Sequence, residues 1–292
     1  MSWRIVIIQN RCKLDLKMGY LVMRSVEGIK RIYLGDVSTI IIENTAISIT
    51  GSLLYELASL KIKVIFCDNK RNPCSELVNY YGSHDCSKKL RQQVSWDQHT
   101  KLIVWTMIVA DKIRKQSEHL KSLGKVDEEN LLNQYLTQIE LADTTNREGH
   151  AAKVYFNSVF GLDFTRTKEN AINSGLNYGY SVILSCFNRE IVANGYLTQL
   201  GIFHDNMFNP FNFGSDLMEP FRILVDRAVK QNILSVFKKE HKHLLVNVLN
   251  QKVKIYGKEQ YVNNAIKIYC RSVFDALENN DVSLIKFYSY EL

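Results

Sequence analysis

Residues 146–161 read NREGHAAKVYFNSVFG. They set the character of the longer half of the chain, because they describe a capped, mostly apolar helix with a single acid in its first turn. Asn146 carries the side-chain oxygen that an N-cap needs, and Gly161 suits the left-handed exit position. At helical periodicity Glu148, Ala151, Ala152 and Tyr155 share one face, while Val154 and Phe160 turn toward other packing. Two alanines beside the acid leave that face lean in bulk. A metal ion, a phosphate or a neighbouring helix can therefore approach Glu148 without displacing a large side chain. The same residues also admit a plainer reading, alanine-mediated helix packing with Glu148 serving the helix dipole as a first-turn acid.

Toward the N-terminus the pattern changes. Residues 4–68 hold the short runs RIVIIQ, CKLDLK, YLVMRS, IKRIYLG and VSTIIIE, broken by Gly19, Gly28 and Gly35. Runs of this length, rich in β-branched residues and separated by turn residues, predict an antiparallel, hairpin-rich sheet. One helix interrupts it at TGSLLYELASL, residues 50–60, before KVIFCD returns as a strand. Residues 69–87 collect Asn, Pro, Gly, Ser and Asp and read as a connection. Just beyond, Lys88, Lys89 and Arg91, with Tyr80, Tyr81 and His84 upstream, mix cations with aromatics. That composition suits a nucleic-acid backbone and its bases, and it equally suits a solvated helix start. From there helical spacing dominates nearly to the end: residues 90–123 as one long helix, 128–139 as another, and 169–193 as a buried helix flecked with Asn170, Asn173, Asn177 and Asn188. Asparagines in such a helix bond across to neighbouring helices or reach a ligand, the former being the commoner use. The fold class is therefore α+β, with a β-rich domain over 1–72, a linker over 73–87 and an α-helical domain over 88–292.

Composition narrows the classes. With 46% hydrophobic and 23% charged residues among 292, the chain has material for a self-sufficient core, and three prolines permit long helices. Thirty-seven basic against thirty acidic residues leave +7, a surplus that favours a polyanionic partner. Six cysteines without a CxxC pair read as reduced thiols of a cytoplasmic protein and argue against a zinc ribbon. The opening MSWRIVIIQN is too short in its apolar run for a signal peptide, and no later stretch approaches the roughly 18 apolar residues of a membrane span, so no membrane partner is expected.

Two further groups bear chemistry. His204 follows an apolar run in a loop with Phe203, Phe208, Phe211 and Phe213, which are expected to pack it. The loop leads to a helix expected to start near Asp216, where Asp216 and Glu219 have the D-x-x-E spacing of a capping box and Pro220 sits in the tolerated first turn. Leu217, Phe221, Leu224 and Ala228 form that helix's buried side, which places Glu219 on its polar edge. Two carboxylates and an imidazole, Glu148, Glu219 and His204, would hold a divalent cation and leave positions for water and substrate oxygens, as phosphoryl transfer requires. Spacing alone does not bring them together.

At these residues the chain resembles the CRISPR-associated protein one family, the integrases of spacer acquisition, and most of all their type II versions. The resemblance runs over essentially the full length, through AISITGSLLYELASLKIKVIFCD, NREGHAAKVYFNSVFG, NAINSGLNYGYSVI, LGIFHDNMFNPFNFGSDLMEPFR and the C-terminal AIKIY. It departs in small ways, with Ile223 where many relatives have proline and Asp205 placing an acid beside His204. The resemblance implies that Glu148, His204 and Glu219 are both the catalytic residues and the ligands of Mg²⁺ or Mn²⁺. It implies a dimerising N-terminal domain, a homodimer, and a dimer of CRISPR-associated protein two as partner. Double-stranded DNA, both prespacer and CRISPR array, would be the substrate, joined by transesterification at the repeat boundary. The type II effector nuclease and a ring-shaped DNA-end-binding protein are further candidate partners. A metal-dependent endonuclease on branched DNA and a non-catalytic DNA-binding scaffold are the competing functions.

Overall fold

The computed structural model describes residues 4–69, 71–79, 83–232 and 235–290. Tyr80 and Tyr81, grouped above with the basic residues, lie outside the described residues. The chain divides into two compact units, one of residues 1–84 with Val192–Asn194, the other of residues 85–191 and 195–292.

The first unit contains β1 (Arg4–Ile8), β2 (Lys13–Lys17), β3 (Tyr20–Ser25), β4 (Gly28–Tyr33), β5 (Val37–Ile42), β6 (Ser48–Ile49), helix α1 (Gly51–Ser59), β7 (Lys63–Cys67) and β8 (Pro73–Glu76). Of the expected hairpin-rich antiparallel sheet, one half forms as read. β2, β3 and β4 pair antiparallel, and Met18 and Gly19 make the β2–β3 turn at φ 51° and 77°, the two-residue positive-φ geometry that follows strand twist. The other half is a second sheet of order β1-β5-β7-β8, in which β1, β5 and β7 run parallel and only β8 is antiparallel. Its direction is set by the connection: α1 carries the chain from the end of β5 back to the start of β7, and a helical crossover returns a strand parallel. All six residues of β5, VSTIII, are buried. Such an uninterrupted run, rather than alternation, marks a strand covered on both faces. Ile8, Leu14, Leu21, Ile40, Leu53, Leu57 and Val64 join the core of this unit. Pro73–Glu76, in the stretch read as a connection, is thus a strand of the sheet.

The second unit contains α2 (Cys86–Val94), α3 (Gln98–Ser122), α4 (Val126–Leu136), α5 (Arg147–Phe160), α6 (Ala171–Ala193), α7 (Asn212–Leu217), α8 (Arg222–Asn232), α9 (Lys239–Asn247), β9 (Lys252–Ile255), β10 (Lys258–Tyr261), α10 (Val262–Asn279) and β11 (Tyr288–Ser289). The single helix expected over 90–123 is two. Trp96 turns into the core against Tyr196 and Phe213, at ring distances of 5.3 and 5.5 Å, and Asp97 starts a fresh helix by accepting the Thr100 N–H at 2.7 Å. α3 is the axis of the unit and packs against α4, α5, α8 and α10. Nor is the chain helical to its end, for β9, β10 and β11 form a small antiparallel sheet. Val253 and Ile255 alternate inward along β9, and Tyr256–Gly257 makes a second positive-φ hairpin turn at 52° and 71°. This period-two pattern is too short to stand out beside the helices that flank it.

Candidate functional site

The site is built on α3, α5 and the segment 212–232. α5 begins as its sequence indicates, with the Asn146 side chain accepting the Gly149 N–H at 3.3 Å. Asp143 adds to the cap, its two carboxylate oxygens accepting Arg147 N–H at 2.8 Å and Glu148 N–H at 2.9 Å. These bonds fix the first turn and hence the direction of Glu148. Ala151 and Tyr155 on the same face are buried, and the Tyr155 hydroxyl lies 2.7 Å from Nδ1 of the buried His119 on α3.

Glu219 departs from its expected place. It opens a single 3-10 turn, Glu219–Phe221, between α7 and α8, and its side chain is 5% exposed rather than on a polar edge. The D-x-x-E capping box does not form, because Asp216 already lies inside α7. Asp216 instead turns back to the preceding loop and is fully buried there. Its carboxylate accepts the backbone N–H groups of Ile202 at 2.6 Å, Phe203 at 3.0 Å and His204 at 3.2 Å, and also binds Nδ1 of the His204 ring. Gly201 makes this possible, since a Cβ there would stand 2.3 Å from the His204 carbonyl oxygen and 2.8 Å from Asp216 Oδ2. Polar bonds, more than phenylalanine packing, hold the loop: Asn212 Nδ2 donates to the carbonyls of Gln199 and Asn206 at 3.1 and 3.0 Å. Of the phenylalanines, Phe213 is buried and Phe203 stacks on Trp105 at 4.6 Å, but Phe208 is 87% exposed.

The structure brings Glu148 and Glu219 to one point. Nζ of Lys112, from the middle of α3, lies 2.5 Å from Glu148 Oε1 and 2.5 Å from Glu219 Oε2. Arg222, the first residue of α8, takes the other oxygen of Glu219, Nε to Oε1 at 2.8 Å. Burial pushes the Glu219 carboxyl up, but Arg222 and Lys112 outweigh it and hold the group well below the usual carboxylate range. For Lys112 burial likewise acts downward, and the charges of Glu219 and Glu148 prevail to keep its amine above the ordinary lysine value. His204 stands apart from the cavity lining, yet within electrostatic reach of both acids. The bond to Asp216 is the main cause of its raised pKa, with Glu219 and Glu148 adding to it.

The acids open on a cavity of about 230 Å³ lined also by Gln116, Phe156, Arg166, Tyr180, Ile223 and Asp226. Two guanidiniums flank the Tyr180 ring, Arg222 at 4.7 Å and Arg166 at 5.3 Å from its centroid. Arg166 is held by Asn173 and Asn177, each oxygen 2.6 Å from a guanidinium nitrogen. Asn173 and Asn177 of α6 thus position a cation rather than bridge helices. Asp226, bonded by the Tyr180 hydroxyl, is pushed up by burial to about 6.

Among the described residues, no three His, Cys, Asp or Glu side chains are gathered closely enough to ligate an ion as they stand. The donor chemistry nevertheless fits a hard divalent cation: two carboxylate oxygens from separate elements share one cation, the Lys112 ammonium, and Asp216 fixes the His204 ring through Nδ1. Glu148, Glu219 and His204 are the residues that would hold it. The sequence reading missed Lys112, Arg166, Arg222 and Asp226. A signal for Lys112 existed: with Trp105, Ile108, Gln116 and His119 it falls on the buried stripe of α3, where an amine needs a partner.

Fold and site define a two-unit α+β protein whose helical unit holds a pocket of paired acids and arginines. The family model for CRISPR associated protein Cas1 matches residues 5–244, and the chain belongs to that family. It is 35% identical over 229 residues, 78% of this chain and 75% of the relative, to the CRISPR-associated endonuclease Cas1 of Neisseria meningitidis serogroup C (strain 8013). The fold is that of a casposase bound to integration product, with TM-score 0.74 at 19% identity, covering 96% of this chain and 91% of the other. It is also that of a chain in a partial Cas6-RT-Cas1–Cas2 complex, with TM-score 0.68 at 15% identity over the whole of both chains.

Proposed function

We propose that this chain is a divalent-metal-dependent DNA integrase of CRISPR adaptation, which joins the 3′-hydroxyl ends of prespacer DNA to the repeat boundary of the array. The observation that carries the reading is the meeting of Glu148 and Glu219, from elements far apart in sequence, around one cation position beside Arg222 and Arg166. Membership of the Cas1 family supplies the substrate class, and the names of its relatives, an endonuclease and a casposase with its integration product, agree with chemistry at phosphodiesters. In the reaction the attacking 3′-oxygen forms a new P–O bond as the P–O bond to the displaced 3′-oxygen breaks. One phosphodiester replaces another, so no external energy source is needed. When bound, Mg²⁺ or Mn²⁺ would supply Lewis-acid polarisation of the phosphate and lower the pKa of the attacking hydroxyl.

The chain's own residues have distinct parts in this scheme. Glu148 and Glu219 present hard oxygen donors, and Arg222 keeps the second oxygen of Glu219 occupied so that only one faces the cation position. Asp216 holds His204 by Nδ1, leaving Nε2 for the ion or for the leaving oxygen. Arg166, braced by two asparagines, faces the pocket as a phosphate-binding cation. The β-rich unit is the proposed homodimer contact, and a dimer of CRISPR-associated protein two is the proposed partner, in line with the Cas2-containing assembly among the fold neighbours.

The test uses a prespacer labelled at its 5′ end, a supercoiled plasmid bearing a repeat array, the partner protein and Mg²⁺ or Mn²⁺. Integration moves the label into relaxed plasmid. Plasmid nicked without label would assign water as the nucleophile and make the chain a nuclease. DNA binding that ignores metal, with no strand transfer, would leave only a scaffold.

A further inference from the structure

We infer that Lys112 is a built-in counter-cation of this site: its ammonium holds Glu148 and Glu219 together in the absence of a divalent ion, and the ion enters by displacing it. Lys112 thereby sets how tightly the site takes metal. The inference rests on the metal-site reading above and deepens it.

The geometry allows one occupant at a time. The two 2.5 Å contacts place Glu148 Oε1 and Glu219 Oε2 within about 5 Å of each other with Nζ between them. Oxygen-ligated Mg²⁺ sits about 2.0–2.1 Å from its donors. An ion bound to both oxygens would therefore fall on or against the ammonium, and two positive centres cannot share that space. Without either cation, two carboxylates at this spacing, one of them 5% exposed, would repel in a setting with little water to screen them.

The two cations that touch Glu219 differ in kind. Arg222 binds Oε1, away from the Glu148 contact, with a planar guanidinium from the first residue of α8, three positions along the chain, so it can stay while an ion binds Oε2. Lys112 reaches the acids from α3 on a flexible four-carbon stem, and it borders the cavity into which its amine can swing. The exchange costs the ion the two ammonium contacts. Apparent metal affinity is lowered by that amount, and the metal-free fold is stabilised by it, as linkage requires.

The measurement is a Mn²⁺ titration of the full chain, with free Mn²⁺ read by electron paramagnetic resonance, for wild type, Lys112→Met and Glu148→Gln, beside thermal melts in EDTA and in Mn²⁺. Lys112→Met is expected to melt earlier than wild type in EDTA, to bind Mn²⁺ at least about tenfold more tightly, and to regain most of the lost melting temperature when Mn²⁺ is present. If Glu148→Gln loses Mn²⁺ but Lys112→Met binds it no more tightly than wild type, Lys112 is not a competitor and the inference falls while the metal site stands. If Glu148→Gln binds Mn²⁺ as wild type does, the metal site itself is wrong, and the inference goes with it. Should Lys112→Met fail to fold, the wild-type protein gives the answer. Acylation of Lys112 by an amine-reactive reagent, mapped by mass spectrometry, is expected to rise several-fold with saturating Mn²⁺. Unchanged labelling in Mn²⁺-bound protein would overturn the displacement.

Discussion

Strand transfer is expected to fall by about 10²–10³-fold or more when Glu148 or Glu219 is replaced by glutamine, or His204 by alanine, while DNA affinity stays within about twofold of wild type. The proposed ligands act on charge that develops as one P–O bond forms and another breaks, so their loss appears in rate rather than in binding. Glutamine is the informative replacement at the acids. Glu219 lies buried between Lys112 and Arg222, and alanine there would strand two cations and cost about 3–5 kcal/mol in stability alone. A purely structural Glu148, serving its helix dipole, predicts instead a loss of at most about 1 kcal/mol and unchanged activity. Single-turnover assays with labelled prespacer, run with Mg²⁺ and with Mn²⁺ beside melts of each variant, separate these outcomes. Full activity in any one folded variant removes that residue from the site.

Asp216→Ala is expected to lower the melting temperature by about 6–12 °C, the equivalent of roughly 3 kcal/mol or more in a domain of this size. Three backbone N–H groups, of Ile202, Phe203 and His204, lose their acceptor at once, and the carboxylate that provides it is fully buried. Strand transfer is expected to be lost as well, because the His204 ring is held through Nδ1 by this same group. Asp216→Asn keeps an acceptor oxygen and the side-chain volume. It should melt closer to wild type yet remain impaired in strand transfer, which distinguishes the orientation of His204 from bulk stability. A helix cap at this position would be worth only about 1 kcal/mol. A melting temperature for Asp216→Ala within about 2 °C of wild type would restore that reading.

Local pattern decided much of this protein. Asn146 caps α5 because an asparagine before an amphipathic run has few better uses for its oxygen, and the switch from short β-branched runs to helical spacing separates a strand-rich N-terminal part from a largely helical remainder. The motifs around Glu148 and DLMEPFR named the family, whose model spans residues 5–244. What periodicity could not carry was any partner far along the chain. Lys112 meets Glu148 across 36 positions and Glu219 across 107, distances over which no helical or strand spacing has meaning. Asp216 has the spacing of a cap with Glu219, but the loop ahead of it folds back and offers three N–H groups, so its carboxylate is spent there. β5 and β7 pair parallel because α1 is a crossover, a property of how strands dock rather than of any one strand. Sequence thus singled out Glu148, His204 and Glu219 as the proposed site residues and passed over Lys112, Arg166, Arg222 and Asp226, which line the pocket beside the two acids. Only the tertiary structure decided that Glu219 is buried, that Glu148 reaches it, and that a lysine stands between them, because those facts depend on where separate helices pack.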